Sequence, residues 1–143
     1  MEIRRVTRAA EVMAAGDLFD SPPRPDATAR FLADDRHHLL IGYVDGVPAG
    51  MVTGVEMTHP DKGTELFLYE LGVAEPFRGR GLGRALTTAL ADLARERGCH
   101  ALWTVTEEEN TAARATYRSA GGDPEPAQAV YAWDFDRAGP DRR

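Results

Sequence analysis

A glycine- and arginine-rich segment offers the clearest chemistry in this sequence. Residues 78–83 read RGRGLG; they follow an apolar stretch at 66–73 and lead directly into an amphipathic helix pattern. The first turn of a helix has unpaired backbone N–H groups and the positive end of the helix dipole, which together favour an anion. Gly79, Gly81 and Gly83 can also adopt positive φ and let the main chain approach that anion closely. The segment therefore predicts a site for a phosphate or pyrophosphate group.

Two common nucleotide-binding motifs do not fit this segment. A dinucleotide fingerprint needs G-x-G-x-x-G, but the pattern that starts with Gly79 and Gly81 ends at Arg84. A nucleoside triphosphate loop needs Gly-Lys followed by Ser or Thr, and the segment has no such run. A different phosphorylated ligand is therefore expected.

Hydrophobic patterning predicts the elements that must position this segment. Asp26 and Asn110 are the expected N-caps of the second and fourth helices, and Asp45-Gly46 is a strong hairpin signal. The order predicts a mixed α/β (α+β) sheet flanked by helices, with a parallel crossover through the glycine-rich segment. Strands are expected at 2–6, 39–44, 49–57, 65–73, 101–106 and 130–135, and helices at 9–19, 26–34, from 82 to Gly98, and at 111–120.

The composition predicts one ordinary soluble domain. At 143 residues the chain can bury a substantial core, and its formal net charge of -6 argues against a basic surface for nucleic acid. No apolar run approaches the length of a membrane span, and residues 1–5 lack the apolar core of a signal peptide. We therefore expect a cytoplasmic protein with neither nucleic acid nor a membrane as partner. Cys99 is the only cysteine and the histidines show no ligand spacing, so no metal site is predicted.

Two motifs together resemble the GNAT family of N-acetyltransferases. The RGRGLG run at 78–83, preceded by LGV at 71–73, is similar to the family's acetyl-coenzyme A loop, and the pattern N-x-x-A-x-x-x-Y-x-x-x-G at 110–121 matches a second family motif. The resemblance implies a single GNAT domain over residues 1–136, with six to seven strands and about four helices, followed by a polar tail at 137–143. Within the family, the YEL run at 69–71 and the terminal WDFD run resemble the small aminoglycoside 3-N-acetyltransferases most closely.

The resemblance assigns the cofactor acetyl-coenzyme A to particular residues. The main chain of residues 71–73 is expected to bond the pantetheine arm as an added strand would. The loop is expected to hold the diphosphate, with arginine guanidinium groups available to phosphate oxygens. The implied cofactor-binding residues are Leu71, Gly72, Val73, Arg78, Gly79, Arg80, Gly81, Gly83, Arg84, Asn110 and Tyr117.

Glu70 and Tyr117 are the candidate catalytic residues for acetyl transfer to an amine. Glu70 is the only charged residue within 66–73, and an unpaired buried carboxylate is costly unless it faces a cavity. With a raised pKa it could take a proton from the acceptor ammonium, directly or through a water. Tyr117 could donate a proton or hydrogen bond as the thiolate leaves. Its alternative role is that of an aromatic residue packed in the core.

The acceptor is expected to be a primary amine on a small cationic molecule, with aminoglycosides as the first candidate. Glu107, Glu108 and Asp134 are candidate substrate-binding residues, although a solvated charge run is the simpler explanation of the glutamates. No motif supplies an activated nucleophile, so direct transfer in a ternary complex is expected. The alternatives are acetylation of a peptide N-terminus or lysine, and a non-catalytic acyl-coenzyme A sensor. A homodimer is compatible with the family.

Overall fold

Five strands form one mixed sheet, in the order β1-β2-β3-β4-β5, in the computed structural model, which describes residues 1–136. The first four strands pair antiparallel, whereas β4 and β5 pair in parallel. The predicted mixed sheet with a parallel crossover is therefore confirmed. The strands are β1 (Glu2–Arg5), β2 (His37–Val44), β3 (Val47–His59), β4 (Gly63–Val73) and β5 (Leu102–Trp103).

Four helices cover the two faces of the sheet. On one face, Leu86 and Leu90 of the third helix are completely buried against Leu40, Val52 and the start of β4. On the other face, Val12 of the first helix packs with Leu39 and Ile41. Because strand side chains alternate between faces, both faces are apolar, as the patterning predicted. The helices are α1 (Ala9–Ala14), α2 (Pro25–Ala33), α3 (Leu82–Glu96) and α4 (Thr111–Ser119), with 3-10 turns at Gly16–Leu18 and Glu75–Phe77.

Several local predictions are confirmed. Asn110 caps α4, since its Oδ1 accepts the N–H of Ala113 at 3.0 Å. Asp45 and Gly46 both have positive φ, 50° and 78°, as a tight hairpin turn between β2 and β3 requires. Gly98 follows the C-terminus of α3 with φ of 80°.

The sheet has five strands within residues 1–136, so the expected six to seven is wrong. The segment 130–135 forms no strand, and β5 comprises only Leu102 and Trp103. Just beyond β5, the Thr104 hydroxyl donates to the Leu68 carbonyl at 2.9 Å, so a side chain takes the place of a main-chain ladder there. Because β5 is so short, a further strand beside it would find few main-chain groups with which to pair. The predicted polar tail at 137–143 lies outside the described residues.

Two helix predictions are also corrected. The first helix does not reach residue 19: it ends at Ala14, and a 3-10 turn begins at Gly16, a residue type that disfavours the helix interior. Asp26 is not a cap, because Arg24 is the N-cap of α2 and Pro25 takes the first helical position, where its missing N–H costs nothing. No helix within residues 1–136 has the length and apolar character needed to cross a membrane.

Candidate active site

A cleft of about 1130 Å³ opens beyond the point where β4 and β5 stop pairing. Their parallel ladder ends at Phe67 and Trp103. Residues 69–73 of β4 and Ala74 after it then line the cleft without a main-chain partner in β5. The glycine-rich loop and one side of α4 complete its walls. The cleft therefore lies between the end of a strand and the start of a helix, where the sequence placed a phosphorylated ligand.

The loop at its base has the conformation that an anion site needs. Gly79 and Gly81 have φ of 76° and 78°, and a Cβ added at either would meet no atom within 4 Å. Among residues 1–136, no acceptor is found for the main-chain N–H groups of residues 79 and 81–84. The loop therefore presents free donors and open space at the N-terminus of α3, which fits a diphosphate.

Gly83 differs from the other two glycines of the loop. It lies inside α3 and does not have positive φ, so that part of the prediction is wrong for this residue. A Cβ at Gly83 would come within 3.2 Å of Thr116 Cγ2 on α4. Its lack of a side chain therefore permits close packing of α3 against α4, which form two walls of the cleft.

The three arginines of the loop have three different surroundings. Arg78 Nε donates to the carbonyl of Val73 at 3.0 Å, which ties the loop to the end of β4. The Arg80 guanidinium lies over the Phe77 ring at 5.6 Å from its centroid, and Arg80 is absent from the cleft lining. Arg84 lines the cleft. Binding of phosphate oxygens by any of the three stays a prediction.

A β-bulge determines where Glu70 lies. Thr53 pairs with Glu70 but its neighbour Gly54 pairs with Leu68, so β4 has one extra residue, Tyr69, in this stretch. An extra residue reverses the alternation of all later side chains. As a result Leu71, beyond the bulge, packs in the same core cluster as Leu68, and Glu70 is directed away from that core. The Thr53 Oγ1 accepts the main-chain N–H of Glu70 at 3.1 Å and holds the bulge in place.

Glu70 lines the cleft with its carboxylate unpaired. Among residues 1–136, no hydrogen-bond or ion-pair partner is found for this carboxylate. Partial burial raises the pKa of Glu70, and the nearby negative charge of Asp20 raises it further. Both effects disfavour the charged form, so this carboxylate accepts a proton more readily than an exposed glutamate does.

Tyr117 and Asn110 line the opposite wall of the cleft, on α4 and at its start. Tyr117 also packs against the core cluster beneath α3, so both roles considered from the sequence are compatible with its position. Burial raises the pKa of Tyr117, which keeps the phenol protonated. The predicted residues Leu71, Gly72 and Val73 line the same cleft.

A second cavity, of about 560 Å³, adjoins the cleft. The two share four lining residues at their junction: Phe19, Asp20, Tyr69 and Glu70. The second cavity extends from this junction beneath α2 and along β2 and β3. Glu70 is therefore accessible from both sides, from the loop cleft and from the second cavity.

The predicted substrate-binding residues lie elsewhere. Glu107 and Glu108 are exposed in the connection between β5 and α4, where their main-chain carbonyls accept hydrogen bonds from Asn110 and Arg114. Asp134 is exposed and accepts the main-chain N–H of Asp136 at 3.0 Å. None of the three lines either cavity, so their assignment stays a prediction.

Sequence reasoning missed Asp20 and Thr53, which surround Glu70. Asp20 is about fifty positions away in the chain, and only the 3-10 turn after α1 brings it to the junction. The one feature of the sequence that could have drawn attention to Asp20 is its position just before the prolines at 22, 23 and 25. Within residues 1–136, no three His, Cys, Asp or Glu side chains are grouped so that they could hold a metal ion.

Residues 7–121 match the Acetyltransferase (GNAT) family. The chain therefore belongs to this family of acetyltransferases, as its two motifs predicted. Members of the family use acetyl-coenzyme A, which confirms the predicted cofactor. The free amides and open space around Gly79 and Gly81 fit its diphosphate.

Three similar proteins carry the names of different acetyltransferases. The chain is 40% identical over 75 residues to L-2,4-diaminobutyric acid acetyltransferase of Streptomyces coelicolor, which covers 52% of this chain and 43% of that protein. It is 44% identical over 64 residues to mycothiol acetyltransferase of Beutenbergia cavernae, a match that covers 45% of this chain and 22% of that protein. It is 34% identical over 117 residues to the N-alpha-acetyltransferase RimI of Mycobacterium tuberculosis, covering 80% and 70%. The chain thus spans less than half the length of the first two.

Two solved structures share the fold. An aminoglycoside acetyltransferase from an uncultured soil metagenomic sample has a TM-score of 0.85 at 16% identity, over 94% of this chain and 95% of that chain. An aminoglycoside acetyltransferase of the 6′ type, solved with coenzyme A, has a TM-score of 0.78 at 20% identity, over 92% and 93%. At such identities the likeness shows the fold alone. The second structure is of the 6′ type, not the 3-N type that the sequence favoured.

Proposed function

We propose that this chain transfers the acetyl group of acetyl-coenzyme A to a primary amine of a small cationic acceptor, directly within a ternary complex. The observation that carries this proposal is the unpaired carboxylate of Glu70 at the junction of the loop cleft and the second cavity. Acetyl-coenzyme A supplies the thioester that the amine attacks. The two cavities allow the two substrates to approach Glu70 from different sides.

Glu70 is the proposed general base. An ammonium group has no lone pair, so the acceptor must lose a proton before it can attack. A carboxylate whose pKa is raised by burial and by Asp20 is a stronger base than an exposed glutamate and can take that proton. Cys99, the only cysteine of the chain, lines neither cavity, which favours direct transfer over an acetylated enzyme.

Tyr117 is the proposed acid. Its phenol keeps its proton because burial raises the pKa, and its position on the cleft wall allows it to donate to the leaving sulfur. Cofactor binding is proposed for the main chain of residues 71–73, the loop at 78–84 and the Asn110 region, all of which line the cleft except Arg80. Tyr117→Phe should therefore slow turnover without weakening cofactor binding.

Two acceptor classes are supported by the comparisons. Aminoglycosides are the first candidate, because solved structures with this fold carry that name. The N-alpha amino group of a peptide is the second, because the relative that matches 80% of the chain is an N-alpha-acetyltransferase. Both present a primary amine, which the carboxylates at the junction would attract.

The test combines calorimetry with acetyl-coenzyme A and a thiol-release screen of aminoglycosides, monoamines, amino acids and peptides. We expect saturable cofactor binding and release of free thiol that depends on an amine. Cofactor binding without release for any amine would instead identify an acyl-coenzyme A sensor. Absence of cofactor binding by folded protein would refute the proposal altogether.

A further inference from the structure

The second cavity has an apolar wall and few free polar groups. Five of its wall residues are Val12, Pro23, Phe31, Leu39 and Val55. Their side chains come from α1, the connection before α2, α2 itself and the strands β2 and β3, so the cavity is formed by the body of the fold. Its volume of about 560 Å³ is that of an ordinary small-molecule pocket.

Apart from the junction residues, three polar side chains of this wall already have partners, and the other two, Ser21 and Thr28, add only hydroxyl groups. The guanidinium of Arg24 pairs with Asp26 at 3.0 Å. The ring of His37 lies edge-on to Phe31 with centroids 5.2 Å apart, and the Thr53 hydroxyl accepts the N–H of Glu70. A ligand in the second cavity would therefore meet mainly hydrocarbon and aromatic surface.

Negative charge is concentrated at the junction with the cleft. Asp20 and Glu70 both line the two cavities, and Asp20 raises the pKa of Glu70 through its charge. A single ammonium group at this point would be attracted by both carboxylates. Further ammonium or hydroxyl groups deeper in the cavity would lose their hydration against apolar walls and gain few hydrogen bonds in return, which is costly.

We infer that the acceptor is a primary amine attached to an apolar body, with the ammonium group at Asp20 and Glu70 and the body in the second cavity. This inference rests on the acetyl transfer proposed above and specifies its substrate class. It places alkyl- and arylalkyl-amines ahead of polyhydroxylated polycations such as aminoglycosides, which reverses the order that the comparisons alone support. Asp20 is then a binding residue for the acceptor, and the wall of the second cavity determines specificity.

A homologous series of straight-chain amines from propylamine to hexylamine tests the inference. Each methylene moved from water into an apolar cavity contributes about 0.8 kcal/mol, which corresponds to about a fourfold rise in kcat/KM. We expect this rise along the series, and a much lower kcat/KM for 2-(2-aminoethoxy)ethanol, which has a similar length but a polar body. A flat series, or a preference for the polar amine or for aminoglycosides, would overturn the inference.

A variant that fills the second cavity gives an independent test. Ala27 lines the cavity from the exposed side of α2, so Ala27→Trp should occupy it without disturbing the core. We expect at least a tenfold loss of kcat/KM for hexylamine, and a smaller loss for propylamine, whose body is shorter. Ala29→Trp is the matched control, because Ala29 is exposed on the same helix but does not line the cavity. Equal effects of the two variants on hexylamine would contradict the inference.

Direct binding separates this inference from the proposed function. Calorimetry of the wild-type protein with the same amines, without acetyl-coenzyme A, should give affinities that rise with chain length. If hexylamine binds in this way but is not acetylated, the acetyl transfer fails and the apolar amine site remains. If amines are acetylated but affinity does not depend on the apolar body, the acetyl transfer remains and the inference fails. If hexylamine neither binds nor reacts, the inference is wrong.

Discussion

Glu56 and Glu70 lie on the adjacent strands β3 and β4, but their surroundings are opposite. Glu56 Oε2 lies 2.6 Å from His38 Nε2 and 2.7 Å from Arg97 Nε, and its side chain is only 9% exposed. The carboxylate of Glu70 has no such partner among residues 1–136 and faces open cavities. Glu56 therefore completes a polar network, whereas Glu70 belongs to no such network among residues 1–136.

The pKa values follow this difference. Burial alone would raise the pKa of Glu56, but hydrogen bonds from His38 and Arg97 outweigh it and hold the pKa below its ordinary value. Burial raises the pKa of Glu70, and Asp20 adds to that rise. The comparison teaches that burial in this sheet does not by itself make a carboxylate reactive. A buried carboxylate becomes reactive when no donors compensate for its burial, because its charged form is then poorly stabilised.

The His38 ring completes the Glu56 network in a defined protonation state. Arg5 Nη2 lies 3.0 Å from His38 Nδ1, and an arginine can only donate. Nδ1 must therefore accept, which leaves the Nε2 proton for Glu56. Burial lowers the pKa of His38, the hydrogen bond with Glu56 opposing this only in part, so the neutral ring is favoured.

The largest expected effect is that of Glu70→Gln on turnover. Removal of the general base should lower kcat by about 100-fold or more, since positioned acid–base groups contribute at least that factor. The Tm should rise at neutral pH, because the variant no longer holds a partly buried charge without a partner. Steady-state kinetics and thermal melts measure the two quantities. The affinity for acetyl-coenzyme A serves as the control and should not change; a kcat close to that of wild type would exclude Glu70 as the base.

Glu56→Gln should have the opposite pair of effects. Loss of the charge weakens hydrogen bonds to His38 and Arg97, which should lower the free energy of unfolding by about 2 kcal/mol. The kcat should stay within about threefold of wild type, because Glu56 lines neither cavity. Chemical denaturation measures the first quantity, with Glu96→Gln, an exposed glutamate on α3, as the matched control. Unchanged stability would mean that the network contributes little to the fold.

The pH dependence of stability should reflect the same network. The pKa of His38 is lowered from 6.5, so the unfolded chain binds more protons near that pH and stability falls as the pH drops through 6.5. The pKa of Glu56 is lowered from 4.5, so protonation of this carboxylate causes a further loss of stability below pH 4.5. The pKa of Glu70 is raised, so above pH 4.5 this residue has the opposite effect and adds stability as the pH falls. Melts between about pH 8 and about pH 5.5 should show a falling Tm.

His38→Gln should flatten this dependence, whereas the exposed His59→Gln should leave it parallel to wild type. If His38→Gln retained the full pH dependence, the neutral buried ring would not be its source.

The smallest expected effect is that of Asp20→Asn on the pH profile of activity. Removal of the negative charge should lower the pKa of Glu70, so the acidic limb of kcat/KM should move to lower pH. Because Asp20 is also the inferred ammonium partner, KM for the amine should rise at the same time. Asp17→Asn, in the 3-10 turn that precedes Asp20, is the control and should leave the limb in place. An unshifted limb in Asp20→Asn would show that the two carboxylates do not interact.

The local features of the site could be predicted because they depend on residues close together in the chain. The left-handed Gly79 and Gly81, the Asn110 cap and the buried stripe of α3 each follow from a few neighbouring residues. Two of the local predictions failed where a neighbour changed the outcome. Pro25 displaced Asp26 from the cap position, and Gly16 ended the first helix early.

The sequence by itself determined the family, the glycine-rich loop and the identity of Glu70 as an isolated charge in an apolar strand. Only the tertiary structure decided which way Glu70 faces, because the bulge at Tyr69 exists only in the pairing of β4 with β3. It also decided that Asp20 lies beside Glu70 and that an apolar cavity meets them there. Such features arise from contacts between elements distant in the chain, whose mutual register no short pattern encodes.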